Sequence, residues 1–522
     1  MKVFSCLLAI ATVTSVAAFD IPDGASITQP WRHKGRPYFG WNRKDRWGNS
    51  IEDDRRKVTI RASEDDTDDI SADFVWALEQ AQNGGLVHLE EGKTYIIGKK
   101  VDLPVLNDVY IKLDGTLKFT DDVEYWQNNY FYYPFQKSIT FMVWSGKNIK
   151  IYGKGTMDGN GQAWYNGFAG REILDASNTY YRPILFLTDN ATNIDIEGIT
   201  FLNSPCWTTF LVRTKDVSFD NVYIEAFSNN ASALPKNTDG FDSLNVDGLT
   251  VTNTRVNVGD DCFSPKPNTT NIYVENLWCN GTHGVSMGSI GQYPGIKDYV
   301  SNAYMKNITL LNGQNGARLK AWAGPEVGYG YISNITYENV HIENTDAPIV
   351  LDQCYFNINE TTCATYPSKV NITDIKFINF TGSSSGKDNR VVADLTCSPG
   401  ATCSGIELQE IEITSPNGTA EIVCNNIEGG VGNIAFALYQ LTQSFNQQQT
   451  NKQSKPHQHP STPNLLLPYD SLLTMVYPFT DGESEYGDSD YGFYCSDDSE
   501  DEGDSGYCSG DEEEFDNNND DD

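Results

Sequence analysis

The run GLTVTNTRVNVG, Gly248 to Gly259, followed by NIYVENLWCNG, Asn271 to Gly281, and NITLLNG, Asn307 to Gly313, decides the fold. Each run holds brief apolar/polar alternations edged by Asn, Gly or Asp. Alternation puts every second side chain on one face of a strand, and the edge residues turn the chain. The pattern returns in NIKIYGKGTMDG from Asn148, NIDIEGITFLN from Asn193, DVSFDNVYIEAF from Asp216, ISNITYENVHIEN from Ile332, NITDIKFINFTG from Asn371 and IELQEIEITSP from Ile406. The units recur at roughly 20–35 residues, an interval that signals stacked repeats. No fixed leucine pattern and no helical period runs between them, and propeller blades need a longer unit. An all-β parallel β-helix is the expectation.

Upstream, DDISADFVWALEQAQNGG reads as a helix from Ile70 to Gln82, stopped by Gly84 and Gly85 and followed by a strand. A helix there would cap the open first turn of the coil.

The chain has 522 residues and a formal charge of −34. From Leu441 onward there are 20 Asp and Glu against two Lys. That stretch is polar and then acidic, and it cannot bury enough apolar surface to fold. The strong negative charge argues against a nucleic-acid partner. The start, MKVFSCLLAIATVTSVAAFD, has a basic residue, a short apolar run and small residues before Phe19, which reads as a secretory signal cut after Ala18. The expected organisation is a signal peptide over 1–18, a β-helix domain over 19–440 and a disordered acidic tail over 441–522. No membrane partner is expected, and the protein is expected to be a secreted, extracellular monomer.

Ten N-x-Ser/Thr sequons, at Asn190, Asn230, Asn268, Asn280, Asn307, Asn334, Asn359, Asn371, Asn379 and Asn417, point to a glycosylated exterior. Eight cysteines between Cys206 and Cys424 fit oxidising conditions. None forms a CxxC pair, so no zinc site is expected. Cys354 with Cys363 and Cys397 with Cys403 would close small loops.

NTDGFD, Asn237 to Asp242, and VGDDC, Val258 to Cys262, place Asp239, Asp260 and Asp261 in two Gly-containing segments, with His283 in the next. The interval is about one turn of the coil, so these positions would stack, with neighbouring strands about 4.8 Å apart. Clustered carboxylates repel, and one should keep its proton to unusually high pH. A neutral acid beside ionised ones is what cleaving a glycosidic bond requires. In ARLKAW, Arg318 and Lys320 share a strand face and invite an anion. Together they could serve substrate, or a salt bridge to the Asp cluster.

The order NTDGFD, GDDC, THGVSMG, RLK resembles the polygalacturonase family of pectin-cleaving glycoside hydrolases, from about Arg61 to Cys424. Thr282 and Leu319 are tolerated variations on its motifs. Gly259, with FSPKPNTTNI after the acid pair, resembles the exo-acting fungal branch. The resemblance implies a right-handed parallel β-helix and inverting hydrolysis of α-1,4-galacturonosyl linkages of pectin from the non-reducing end, with neither cofactor nor metal. It implies Asp260 as general acid, Asp239 and Asp261 as activators of water, and His283 as the group that tunes the acid. It places Arg318, Lys320, Tyr355 and Asn237 on the substrate, and pairs Cys262 with Cys279. Cys206 and Cys424 are left over. Exo action would need one end of the cleft closed, by loops such as 167–181. The competing readings are an endo-acting or rhamnogalacturonan/xylogalacturonan-cleaving relative, a calcium-dependent pectate lyase, and a non-catalytic carbohydrate-binding β-helix. Because protein and substrate are both anionic, activity is expected to peak at acidic pH.

Overall fold

A computed structural model describes residues 26–28, 55–356, 358–400 and 403–432. The signal segment and acidic tail read from the sequence lie outside the described residues. Nearly all strands join one sheet system wound as a parallel coil. The coil has the right hand that parallel connections take. Apolar side chains of successive turns stack in register: Phe241 beside Phe263, Phe263 beside Val285, Val285 beside Ala317, Ala317 beside Ile349, and Ile349 beside Ala393. All are buried in one continuous core. A fully buried Phe or Ile stabilises by about 1.5–3 kcal/mol, so the cost of ordering the turns is offset along the whole column.

The outer side of this sheet alternates with the core and carries a second column. Leu187 lies beside Phe210, Phe210 beside Asp242, and Asp242 beside Ser264. The next strands continue it through Ser286 to Arg318. The column therefore runs from apolar through acidic to cationic along one face.

Helix α1 spans Ser71–Gln80, slightly shorter than its apolar period suggested. Its end is set at Gly85, where an added Cβ would lie 2.4 Å from the carbonyl oxygen of Ala81. Phe74, Ala77 and Leu78 of α1 are fully buried, and Phe74 meets Trp144 edge-on. The helix thus closes the first turn of the core. Among the described residues, no helix is long and apolar enough to cross a membrane.

Candidate active site

Three successive turns end just before the strands Phe241–Leu244, Phe263–Pro265 and Val285–Ile290. Backbone hydrogen bonds stack these turns: Gly240 N donates to Asp261 O (2.9 Å), Cys262 N to Gly284 O (2.8 Å), and His283 N to Asp260 O (2.9 Å). Asp239, Asp260 and Asp261 are thereby brought together, with one carboxylate oxygen of each within 4.8 Å of the others. Gly259 has a steric reason: an added Cβ would sit 2.0 Å from the carbonyl oxygen of Pro235. The Cys262–Cys279 disulfide joins the acid-bearing turn to the strand Thr269–Asn280. Cys354–Cys363 and Cys397–Cys403 are also bonded, Cys206 is a buried thiol and Cys424 an exposed one.

Each of the three carboxylates faces a basic side chain, and one of those is shared with a fourth carboxylate. His283 Nδ1 lies 3.1 Å from Asp260 Oδ1. Lys320 pairs with Asp261, which also accepts from Ser286 Oγ at 2.9 Å. Lys266 Nζ lies 3.6 Å from Asp239 and 3.0 Å from a fourth carboxylate, Asp242. Three cations facing the cluster leave little net negative field to attract a dication, which weighs against a calcium-dependent lyase.

The pKa directions follow from these pairings. Burial raises Asp239 well above the usual carboxylate range, and Asp242 and Asp260 beside it add to the rise. Burial pushes Asp242 up to about 7 despite Lys266. For Asp260 and Asp261 burial acts the same way but is outweighed: His283 holds Asp260 low, and Lys320 holds Asp261 low. Burial alone would depress His283, but Asp260 overrides it and raises the imidazole. Of the three motif carboxylates, it is therefore Asp239 that is shifted toward its protonated form and Asp260 away from it. The reason is that Asp260 has a nearby imidazolium, while Asp239 shares one lysine with Asp242.

Asp260 reaches solvent best of the three, with its side chain 18% exposed against 5% for Asp239 and 3% for Asp261. Asn237 Nδ2 donates to Asp260 at 3.2 Å, and Arg182 donates to Asn237 Oδ1 at 2.7 Å. A guanidinium can only donate, so Arg182 fixes which end of the Asn237 amide faces Asp260. Asn237 therefore touches the acid cluster as well as standing in the group assigned to substrate.

Arg318 and Lys320 share one face, 5.2 and 5.4 Å from the same Tyr355 ring centroid, but take different carboxylates. Lys320 is buried on Asp261. Arg318 bridges Asp352 at 2.9 Å with its side chain 17% exposed, and lies 5.2 Å from the Tyr355 ring centroid. Arg318 and Tyr355 thus form the edge of the cleft beyond the carboxylates. Sequence reading missed Lys266, Asp242 and Arg182. Lys266 stood in the quoted FSPKP run and Asp242 in NTDGFD itself, and alternation from the core residue Phe241 would have faced Asp242 outward. Arg182 had no local signal, because its contacts come from distant turns.

The profile of "Glycosyl hydrolases family 28" matches residues 84–435, most of the described coil and all of this site. The chain belongs to glycosyl hydrolases family 28. As a family 28 member it is a glycoside hydrolase, and inversion is general to that family. It is 61% identical over 438 residues to "Probable exopolygalacturonase B" of Aspergillus terreus, covering 83% of this chain and 98% of the relative. The Neosartorya fischeri protein of the same name is 67% identical over 379 residues, covering 72% and 84%. Among solved structures, the endo-xylogalacturonan hydrolase from Aspergillus tubingensis is 29% identical with a TM-score of 0.65, covering 71% of this chain and 96% of that one. A Thermotoga maritima exopolygalacturonase, 19% identical with a TM-score of 0.53 over 71% and 92%, shares the fold.

Proposed function

We propose that this family 28 hydrolase removes single galacturonates from the non-reducing end of polygalacturonate, as the names of its curated relatives suggest. One observation carries the exo reading. On one side of the carboxylates the outer column is sealed. Leu187, Trp207, Phe210 and Val212 form an apolar cluster there, covered by Tyr133, Phe135 and Ile173. The covering segment is latched far along the chain, where Gln136 N donates to the Tyr293 hydroxyl (2.9 Å) and Gln136 Nε2 to Gln292 Oε1 (3.0 Å). Such a wall would stop a polymer, placing one sugar on the closed side and the rest over Arg318 and Tyr355. Ile173 belongs to the 167–181 loop expected to close the cleft, but the segment Phe131–Lys137 supplies more of the wall. A product time course on polygalacturonate tests this: monomer alone from the first minutes supports it, and a spread of oligomers would refute it.

In the reaction, Asp260 donates its proton to the leaving oxygen while a water is deprotonated at Asp261 and Asp239. Asp261 already stands ionised. One proton shift from Asp239 to Asp260 makes the first a base and the second an acid, and the carboxylates are near enough for one water to carry it. Inverting sites usually separate acid and base by about 6.5–9.5 Å, more than the spacing here. NMR of the first product decides the stereochemistry, with the β-anomer expected.

Arg318, with donors to spare beside Asp352, would bind a substrate carboxylate. Arg318→Ala should lower kcat/KM by roughly 10–100-fold through KM, as loss of a charged hydrogen bond of about 1.5–3 kcal/mol requires. Steady-state kinetics would show this, with Arg318→Lys recovering only part because it loses the planar fork. Secretion completes the proposal, supported by the disulfides Cys262–Cys279, Cys354–Cys363 and Cys397–Cys403 and by the signal-like residues 1–18, and a monomeric state is proposed with it.

A further inference from the structure

The sequons are not chemically equivalent once the chain is coiled. At many bends the backbone takes a left-handed conformation, and asparagine fills it: Asn253, Asn276, Asn307, Asn339 and Asn379 all have φ between 51° and 58°. Asparagine tolerates that region because its short amide bonds locally. Stacked at one position on successive turns, these amides form a ladder. Asn276 donates from Nδ2 to Asn253 Oδ1 (2.9 Å), Asn307 to Asn276 (3.2 Å), Asn339 to Asn307 (3.3 Å) and Asn379 to Asn339 (2.8 Å). Shorter ladders hold Asn280 on Asn257 (3.2 Å), Asn334 on Asn302 (2.9 Å) and Asn268 on Asn245 (2.8 Å).

Five sequon asparagines, Asn268, Asn280, Asn307, Asn334 and Asn379, are ladder members. For three of them the fold accounts for the asparagine and for the apolar residue of the sequon. Asn307, Asn334 and Asn379 make the bend, the next residues Ile308, Ile335 and Phe380 enter the core, and Thr309, Thr336 and Thr381 follow on the outer face. Asn followed by a buried residue is what a ladder bend needs; the third, outer-face position holds Trp278 after Asn276 and His341 after Asn339, and where it holds Thr the bend spells the acceptor motif. Asn417 is also engaged, donating to Gly386 O (2.7 Å) and Asn389 O (3.3 Å).

The other four differ. Asn190 sits at a left-handed bend, but the matching position of the next turn is Arg213, which bonds Asp189 instead. Asn371 is exposed on an extended strand. Asn359 uses only its oxygen, accepting from Thr362 N at 2.8 Å to cap the helix Glu360–Thr365. Among the described residues the Nδ2 atoms of these three have no acceptor. The side-chain Nδ2 of Asn230 donates only to the exposed Asn166 side chain (3.0 Å), which can turn away.

Transfer of a glycan from a lipid-linked oligosaccharide diphosphate replaces one Nδ2 hydrogen by the anomeric carbon of the first sugar. The C–O bond to the lipid diphosphate breaks, the diphosphate leaves with the bonding pair, and the amide proton is lost to base. On a ladder amide this removes or displaces the donor, and wedges a sugar ring between side chains about 4.8 Å apart. A chain so modified could not close its ladder.

We propose that the asparagine ladders sort the sequons: Asn190, Asn230, Asn359 and Asn371 carry glycan, while Asn268, Asn280, Asn307, Asn334, Asn379 and Asn417 stay bare. This rests on the secretion reading. The test is the full-length enzyme collected from the medium of a fungal host, deglycosylated in heavy-oxygen water by an amidase that marks each formerly occupied Asn, and mapped by mass spectrometry. Heavy label at the four open sites and less than a tenth occupancy at the six engaged ones is expected. Label on most copies at Asn307, Asn334 or Asn379 in secreted enzyme overturns the sorting while secretion stands. Protein kept inside the cell with no label anywhere overturns the secretion reading, and the assignment with it. Thr309→Ala and Thr373→Ala delete the sequons of Asn307 and Asn371 without touching either asparagine. The first should leave the mass of the glycoprotein unchanged apart from the substitution, and the second should remove one glycan. A lost glycan in the first, or none lost in the second, contradicts the proposal.

Discussion

Asp260→Asn is expected to lower kcat on polygalacturonate by roughly 10²–10⁴-fold, the span that one positioned general acid supplies. KM should move little. The amide keeps the shape and its oxygen can still accept from Asn237 Nδ2, though its NH2 end cannot take the bond that Oδ1 accepts from Asp261 N, so the coil should melt only slightly below the parent temperature. The expectation follows from Asp260 being the cluster carboxylate most open to the cleft. Steady-state kinetics beside a thermal melt separate chemistry from folding. Turnover within tenfold of the parent would remove Asp260 from the reaction. His283→Ala carries a companion expectation: without the imidazolium, Asp260 keeps its proton to higher pH, so the pH profile should change shape rather than only fall in height.

Thermal stability should be greatest in mildly acidic solution, at about pH 4–6, and fall on both sides. The signs follow from the buried cluster. Burial raises Asp239, and burial pushes Asp242 to about 7. The native state therefore holds protons that the unfolded chain releases near 3.8, and stability falls as pH rises from there through 7. For Asp242 alone the full shift corresponds to roughly 4 kcal/mol. His283, raised by Asp260 against burial, acts in the same direction: its contribution is complete below 6.5 and lost as pH climbs through the raised value. Asp260 and Asp261, held low by His283 and Lys320, act oppositely. Their contribution is present above 3.8 and disappears as pH falls below it. A melting series from about pH 3 to 8 reads the sum, with a drop of roughly 5–10 °C expected between the optimum and pH 8. A midpoint still rising from pH 6 to 8 would contradict the assignment. Lys266→Met should steepen the alkaline fall, because Asp239 and Asp242 lose the cation they share.

The coil and the acid cluster were both legible in the residues, and for one reason. A parallel β-helix converts sequence interval into spatial neighbourhood, so alternation such as LTVTNTRVNV gives the strands, and a recurring interval gives the stacking of Asp239, Asp260 and His283. The same local logic read the α1 cap and its glycine stop. What the tertiary structure alone decided is whatever depends on distant turns or on the field of the assembled cluster. It gave Arg318 and Lys320, which lie over one tyrosine ring, different carboxylates, Asp352 and Asp261. It set Arg182 behind Asn237, and carried Phe135 and Gln136 across the groove to Tyr293. It raised Asp239 and lowered Asp260, because a pKa is fixed by burial and by the nearest charges, and neither is a property of a residue's place in the string. It also divided ten identical-looking motifs into engaged amides, five of them ladder rungs, and open ones. A sequon is three residues long, whereas its hydrogen-bond partner lies a full turn of the coil away.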